Sequence, residues 1–336
     1  MRHHYWELPI FVYLFLGGLG GGIMFLSMIF TLIMAPGSME MVQVVWLPML
    51  VAIACLALGC FFLVFELGQP FAFLRVFLKN TSIICWGARF LTVAMLAAIV
   101  WWVAYLPYES VEWLWPFQGL ADALRVAGPV CMVLAGVAGF CIMVYTGVML
   151  STLKAHSFWA TPALPVLFTV SALSTACAGI MLFAGIHPEG ATMGVQLAST
   201  FVHEQVHEYD IVLVIAELTV LFVMILSFLG SGNKVQNQVA HRWIHGSYAL
   251  AFWGGMICIG LGIPEIINIF CGEVEVLTHI VAPIMVLCGG LLLRAMCIFS
   301  DDRAEIPGEI RYFTKLKKKG QAEFLTRWDY NGQNEF

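Results

Sequence analysis

The sequence predicts an all-α polytopic membrane protein of eight transmembrane helices followed by a polar C-terminal tail. Three observations carry that prediction. Hydrophobic residues make up 61% of the 336 positions and charged residues only 11%, with a mean hydropathy of +0.89. The apolar residues fall into eight separate runs, each meeting the roughly 20 residues a helix needs to cross a bilayer. The charges crowd between the runs and into the last 37 residues, which hold 7 of the 16 Lys/Arg and 7 of the 21 Asp/Glu. An average soluble domain is about a quarter charged and about half apolar. The composition therefore excludes a soluble globular enzyme, a disordered chain and a nucleic-acid reader with a basic face.

The runs are expected over 8–34, 44–65, 84–106, 126–153, 160–186, 211–229, 246–264 and 276–299. They are continuous and rich in Leu and Met rather than alternating, which excludes barrel strands. The first carries GGLGGG at 17–22, where missing side chains let another helix or a flat ligand approach the backbone. It follows MRHHYWELP without a small-residue cleavage site and reads as a retained span rather than a signal peptide. Prolines 129, 162, 165 and 264 fall at run ends, where a missing amide hydrogen costs little. Ten cysteines occur without a CxxC pair, and most lie inside apolar runs as small buried hydrophobes. Residues 300–336, containing KLKKKG, form a tail outside the membrane that suits either a partner or anionic lipid.

Loop charge predicts orientation. One side collects Arg2, Arg75, Lys79, Arg89, Lys154, Lys234, Arg242, Arg294 and the basic residues of the tail. The other has Arg125 against eleven acids, among them Glu204, Glu208, Asp210 and Glu265. By the positive-inside rule both termini are cytoplasmic.

Ionisable and polar residues at membrane depth are the informative ones, because each is costly there without a partner or water. Glu66 closes the second run on the basic side, near Gln69, with Trp86 and Arg89 opening the third. Tyr145, Lys154 and His156 close the fourth on that side, and Tyr13 lies at similar depth in the first. Interfacial belts alone account for some of these aromatics. Their convergence at one end nonetheless provides what a quinone head group needs: hydrogen-bond partners, a proton donor or acceptor, and an apolar slot. Glu217, inside the sixth run with Asp210 before it, has no Lys or Arg nearby in sequence. It reads either as a proton-relay element or as an acid bonded to a neighbouring helix. His203/His207 and His241/His245 sit in or beside expected loops on opposite sides, so paired haem ligation has little support.

IFVYLFLGGLGGG, FELGQP with FAFLRVFLKNTSIICWGAR, VYTGVMLSTLKAHSFW and LPVLFTVSAL occur in that order. Together they resemble the NrfD/polysulfide reductase membrane-subunit family, clearly over about half of the chain. The resemblance implies two four-helix bundles, over 1–153 and 154–299, with no haem or iron–sulfur cluster in this chain. It implies a menaquinone or ubiquinone site in the first bundle, facing a ferredoxin-like iron–sulfur subunit and, beyond it, a molybdopterin or other catalytic subunit. Tyr145 matches a quinone-contacting tyrosine of the family. Tyr13 stands where the family has a quinone-contacting histidine, and Glu66 where it usually has Asp. Gln69, Trp86 and Lys154 belong to the same motif segments. Similar subunits carry their quinone site and soluble partners outside the cytoplasm, opposite to the loop-charge reading.

The expected function is that of a quinone-reactive plasma-membrane subunit of an oxidoreductase complex in anaerobic respiration, in contact with membrane lipid but not nucleic acid. Tyr13 and Tyr145 are expected to bind the quinone oxygens, helped by Gln69, Trp86 and Lys154. Glu66 and His156 are expected to handle protons, with Arg89 tuning Glu66. Glu217 and Asp210 are expected to form part of a proton route through the second bundle. Two other readings remain: a haem-free anchor without quinone chemistry, and a secondary transporter.

Overall fold

A computed structural model describes residues 8–34, 38–66, 83–108, 112–153, 156, 158–184, 186, 192–271 and 274–300. All its regular structure there is helical. The helices are α1 (Leu8–Met34), α2 (Met39–Glu66), α3 (Ile83–Ala104), α4 (Gln118–Arg125) and α5 (Gly128–Ser151). They continue with α6 (Ala163–Ala184), α7 (Met193–Gly230), α8 (Lys234–Ile244), α9 (Leu250–Phe270) and α10 (Leu277–Phe299). All but α4 and α8 are long and apolar enough to span a membrane, giving the eight spans expected. The protein is a multi-pass membrane protein.

The glycine run explains why α1 sits at the centre. In an apolar medium the helix keeps its hydrogen bonds despite glycine's weak propensity, because no water offers the backbone an alternative. Between them its glycines then admit four neighbouring helices. A Cβ on Gly20 would stand 2.9 Å from the Ala52 carbonyl oxygen of α2, and one on Gly21 would stand 2.6 Å from the Gly139 oxygen of α5. One on Gly22 would stand 2.6 Å from Cβ of Ala176 in α6, and one on Gly18 would stand 3.2 Å from Arg294 in α10. Helix packing thus accounts for the whole run.

Around α1, α3 packs on α2 and α5, while α6 packs on α5, α7 and α10. Alternating directions bring the start of α1, α3, α6 and α9 and the end of α2, α5, α7 and α10 to one end, here called proximal. The proximal end is closed by buried tryptophans. Trp159 donates through Nε1 to the Cys297 carbonyl at 2.9 Å, and Trp243 donates to Ser300 Oγ at 2.6 Å. Phe158 packs between Trp243 and Phe228.

Four features depart from the sequence expectation. The sixth span starts eighteen residues earlier, at Met193, so His203, Glu204, His207, Glu208 and Asp210 lie on α7 rather than in a loop. Its 38 residues measure about 57 Å, well beyond a hydrocarbon core of about 30 Å. The contact of Ser199 with the last carbonyl of α6, Ala184, marks where its neighbour stops, and the first turn of α7 projects past it. The seventh span is shifted to Leu250–Phe270 and takes Glu265 into the helix. Pro264, expected at a run end, lies inside α9, which continues through it. Arg294, counted above among the loop charges, is 1% exposed within α10. Arg294, Asp210 and Glu265 therefore leave the loop-charge tally.

Candidate functional site

Two tyrosines meet near the proximal end. Tyr13 of α1 and Tyr145 of α5 are 6% and 7% exposed and lie within electrostatic reach of each other. Both rings are seated on glycines of neighbouring helices. Gly59 of α2 lies under Tyr13, where a Cβ would stand 3.4 Å from Cδ2. Gly87 of α3 lies under Tyr145 so closely that a Cβ there would fall inside the ring's contact distance from three of its carbons. The Tyr145 hydroxyl donates to the Met149 thioether at 3.3 Å. Sulfur is a weak acceptor, so this donor is readily redirected to a carbonyl oxygen.

The other residues expected at the proximal end are described in part. Trp86, next to Gly87, is 48% exposed on the outer face of α3, with the Arg89 guanidinium 5.2 Å from its ring centroid. His156 packs its ring 4.6 Å from that of Trp159, which ties the turn before α6 to α10. Glu66 is the last residue of α2. Its side chain, Gln69 and Lys154 lie outside the described residues.

A second polar group runs through the interior between α6, α7, α9 and α10. Arg294 donates through Nη1 to Ser171 Oγ at 3.1 Å and to the Gly290 carbonyl at 2.8 Å. Its guanidinium carbon lies 5.6 Å and 5.5 Å from the ring centroids of Phe15 and Phe168, a cation–π arrangement on two sides. Ser171 is also within hydrogen-bonding reach of the buried Glu217 carboxylate. Glu217 therefore has a cationic neighbour through one hydroxyl, where sequence distance suggested none.

Asp210, seven residues before Glu217, lies on nearly the same face of α7 and about 10 Å away along it. It accepts from Ser174 Oγ at 3.4 Å. Glu265 of α9 is within its electrostatic reach, and both Glu265 carboxylate oxygens are buried without a hydrogen-bond partner among the described residues. A small cleft of about 10 Å3, not fully enclosed, adjoins Asp210; its lining is mostly apolar, with Asn268 and Thr278 the other polar side chains beside Cys177 and Val206.

The two groups adjoin through α1. Gly18 and Phe15 touch Arg294, and Tyr13 lies five residues from Gly18, about 7 Å along the axis. Acid track and tyrosine pair thus lie on the two sides of one stretch of α1, with Phe15 and Gly18 between them. Sequence reading named Tyr13, Tyr145, Asp210 and Glu217 but missed Arg294, Ser171, Ser174, Gly59 and Gly87. Ser171 lies in the quoted LPVLFTVSAL segment and Gly87 beside Trp86, so only the glycine and the serine had a local signal. Among the described residues no group of three or more His, Cys, Asp or Glu side chains is arranged to hold a metal ion.

Comparison with known proteins gives one family and several relatives. A family model described as polysulphide reductase, NrfD, matches residues 1–300. The chain is 26% identical over 288 residues to the protein NrfD homolog of Haemophilus influenzae, covering 80% of this chain and 84% of that protein. It is 24% identical over 273 residues to the C subunit of the polysulfide reductase of Wolinella succinogenes, covering 79% and 83%. It is 24% identical over 310 residues to protein NrfD of Escherichia coli, covering 88% and 94%.

Proposed function

The chain belongs to the polysulphide reductase NrfD family, and from that premise we propose that it is the quinone-reactive membrane subunit of a respiratory oxidoreductase complex. The observation that carries this reading is the buried pair Tyr13 and Tyr145, each ring over a glycine of another span, with the Tyr145 hydroxyl held by a thioether. Such a pair offers two donors to the two oxygens of a flat ring between apolar helices. Menaquinone or ubiquinone is the substrate, and it takes up two electrons and two protons on reduction to the quinol.

The chain's own residues position and protonate. Tyr13 and Tyr145 orient the head group by hydrogen bonds. Glu66 and His156 exchange protons at the proximal end, with Arg89 beside them, while Trp86, Gln69 and Lys154 border the opening. Residues 1–153 supply this half and residues 154–299 the acid track. Electrons pass to or from an iron–sulfur subunit docked at the proximal end, which leads to a molybdopterin or other catalytic subunit. Protons move along Asp210 and Glu217, handed on by Ser174 and Ser171. With electrons and protons arriving from opposite ends, each turnover works with or against the membrane potential at about 2.3 kcal/mol per charge per 100 mV.

Two variants test the two halves. Tyr145→Phe removes a hydroxyl from a folded pocket and is expected to lower quinone-coupled turnover of the purified complex by about tenfold, the equivalent of one lost hydrogen bond of about 1.4 kcal/mol. Turnover with a water-soluble electron carrier that bypasses quinone stays at the wild-type rate. Unchanged quinone turnover would favour the anchor reading. Glu217→Gln in liposomes is expected to abolish coupled proton uptake from the distal side. Wild-type uptake in that variant would remove Glu217 from the route.

A further inference from the structure

We propose that His203 and His279 form the proton-collecting mouth of the acid track, at the distal end opposite Tyr13 and Tyr145. The proposal rests on the reading of Asp210 and Glu217 as a proton route and gives that route its origin and its direction.

Four features point to the mouth there. The two rings meet edge to face with centroids 4.6 Å apart, one carried by α7 and one by the start of α10. His203 precedes Asp210 by seven residues as Asp210 precedes Glu217, so three titratable side chains recur on nearly one face of α7, about 10 Å apart. The cleft beside Asp210 reaches towards the pair. Val206, one turn beyond His203, and Thr278, next to His279, both line it. His279 also sits in a five-residue π-helical segment, Leu277–Val281, a winding rare in helices and frequent at functional sites.

The chemistry suits the place. An imidazole takes a proton at one nitrogen and releases it from the other, which neither a carboxylate nor a hydroxyl does across a ring. The cleft has room for about one water, and Asp210, Asn268 and Thr278 supply it with polar partners, so the proposed relay uses one water between the pair and Asp210. The titratable groups of the surrounding elements are Glu204, His207, Glu208 and Tyr209 on α7, Glu275 just before α10, Glu265 on α9, Cys177 on α6 and Glu40 on α2, which packs on the start of α7. Most are acidic, so they concentrate protons at this end rather than repel them.

The test uses the complete complex in liposomes, with proton uptake followed during quinone-coupled turnover and Zn2+ as the probe. Zn2+ binds imidazole nitrogen at about 2.0–2.1 Å, and two rings in edge contact need only small rotations to share one ion. Zn2+ on the distal side is expected to slow uptake by about a hundredfold, the low end for a lost proton-transfer group, and Zn2+ on the proximal side is expected to leave it unchanged. The double variant His203→Gln/His279→Gln is expected to lose Zn2+ sensitivity and to take up protons slowly, while its turnover with a bypassing electron carrier stays normal. Added imidazole is expected to restore uptake in His279→Gly, which a purely structural role would not allow. Equal inhibition from both sides, or wild-type uptake in the double variant, overturns the proposal. Glu217→Gln separates the two levels: if it blocks uptake and the histidine variant does not, the mouth is wrong and the route stands. If neither blocks uptake, both fall.

Discussion

Arg294→Met is expected to destabilise the solubilised complex more than any other single change in the membrane domain. Arg294 is buried among α1, α6, α7 and α10, and its hydrogen bonds reach Ser171 and Gly290. Removing it leaves Glu217 and Ser171 buried without their cationic neighbour, a loss of the kind that costs about 3–5 kcal/mol when one partner of a buried charged group is deleted. Removing both charges costs less, because no unpaired charge is left buried, the amide at 217 keeps Ser171 as a partner, and Met fills part of the volume between Phe15 and Phe168. The double variant Arg294→Met/Glu217→Gln is therefore expected to regain most of the stability lost in the single Arg294→Met, read as the thermal midpoint of unfolding. Additive losses in the double variant would show that the two side chains act independently. Arg294→Lys is expected to recover little. A lysine is a compact point charge without the planar guanidinium that lies near the Phe15 and Phe168 rings while its Nη1 serves two acceptors.

The same residue shows where sequence reading stops. Five residues from the end of the last span, an arginine beside no acid in sequence reads as an interfacial charge. Only the packing of α10 against Gly18 and Ser171 reveals that it is buried. Glu217 was left open between a relay and an acid bonded to a neighbouring helix, and its cationic neighbour lies 77 positions away in the sequence. The eight spans were legible because membrane spanning is a local property of about 20 residues. The start of α7 was not, because His203, Glu204, His207 and Glu208 make its first half look like a loop, although the helix continues through them. The proximal convergence of Tyr13, Trp86, Arg89, Tyr145 and His156 followed from counting crossings, which fixes depth but not facing. Which of these side chains meet, and that Trp86 stands on the outer face while Tyr145 is buried, depends on helix rotation, which nearly uniform apolar helices do not encode. GGLGGG announced close packing, yet the distribution of its glycines over four neighbouring helices is a tertiary fact.

Gly87→Ala is expected to abolish quinone-coupled turnover more completely than Tyr145→Phe does, although it touches no hydroxyl. A methyl group at Gly87 overlaps the Tyr145 ring itself, and the ring lies in the seam between α3 and α5, with rigid backbone rather than a flexible tip beneath it. Tyr145 must therefore tilt or α3 must move, and a displacement of about 1 Å at a positioning group is enough to cost about a hundredfold in rate. Tyr145→Phe keeps the ring in place and loses only the donor, so its effect is the smaller. Gly59→Ala supplies the control. Its new methyl group would meet Tyr13 at 3.4 Å, ordinary van der Waals contact, and turnover is expected to stay within about twofold of wild type, as for a substitution that creates no clash. The decisive variant is Gly87→Ala/Tyr145→Ala. If Gly87 acts only as the seat of the tyrosine ring, adding the alanine at 87 to a protein already lacking that ring changes turnover little further. A further hundredfold loss would instead place the importance of Gly87 in the packing of α3 on α5, and the tyrosine pair would lose its claim to be what the glycine protects.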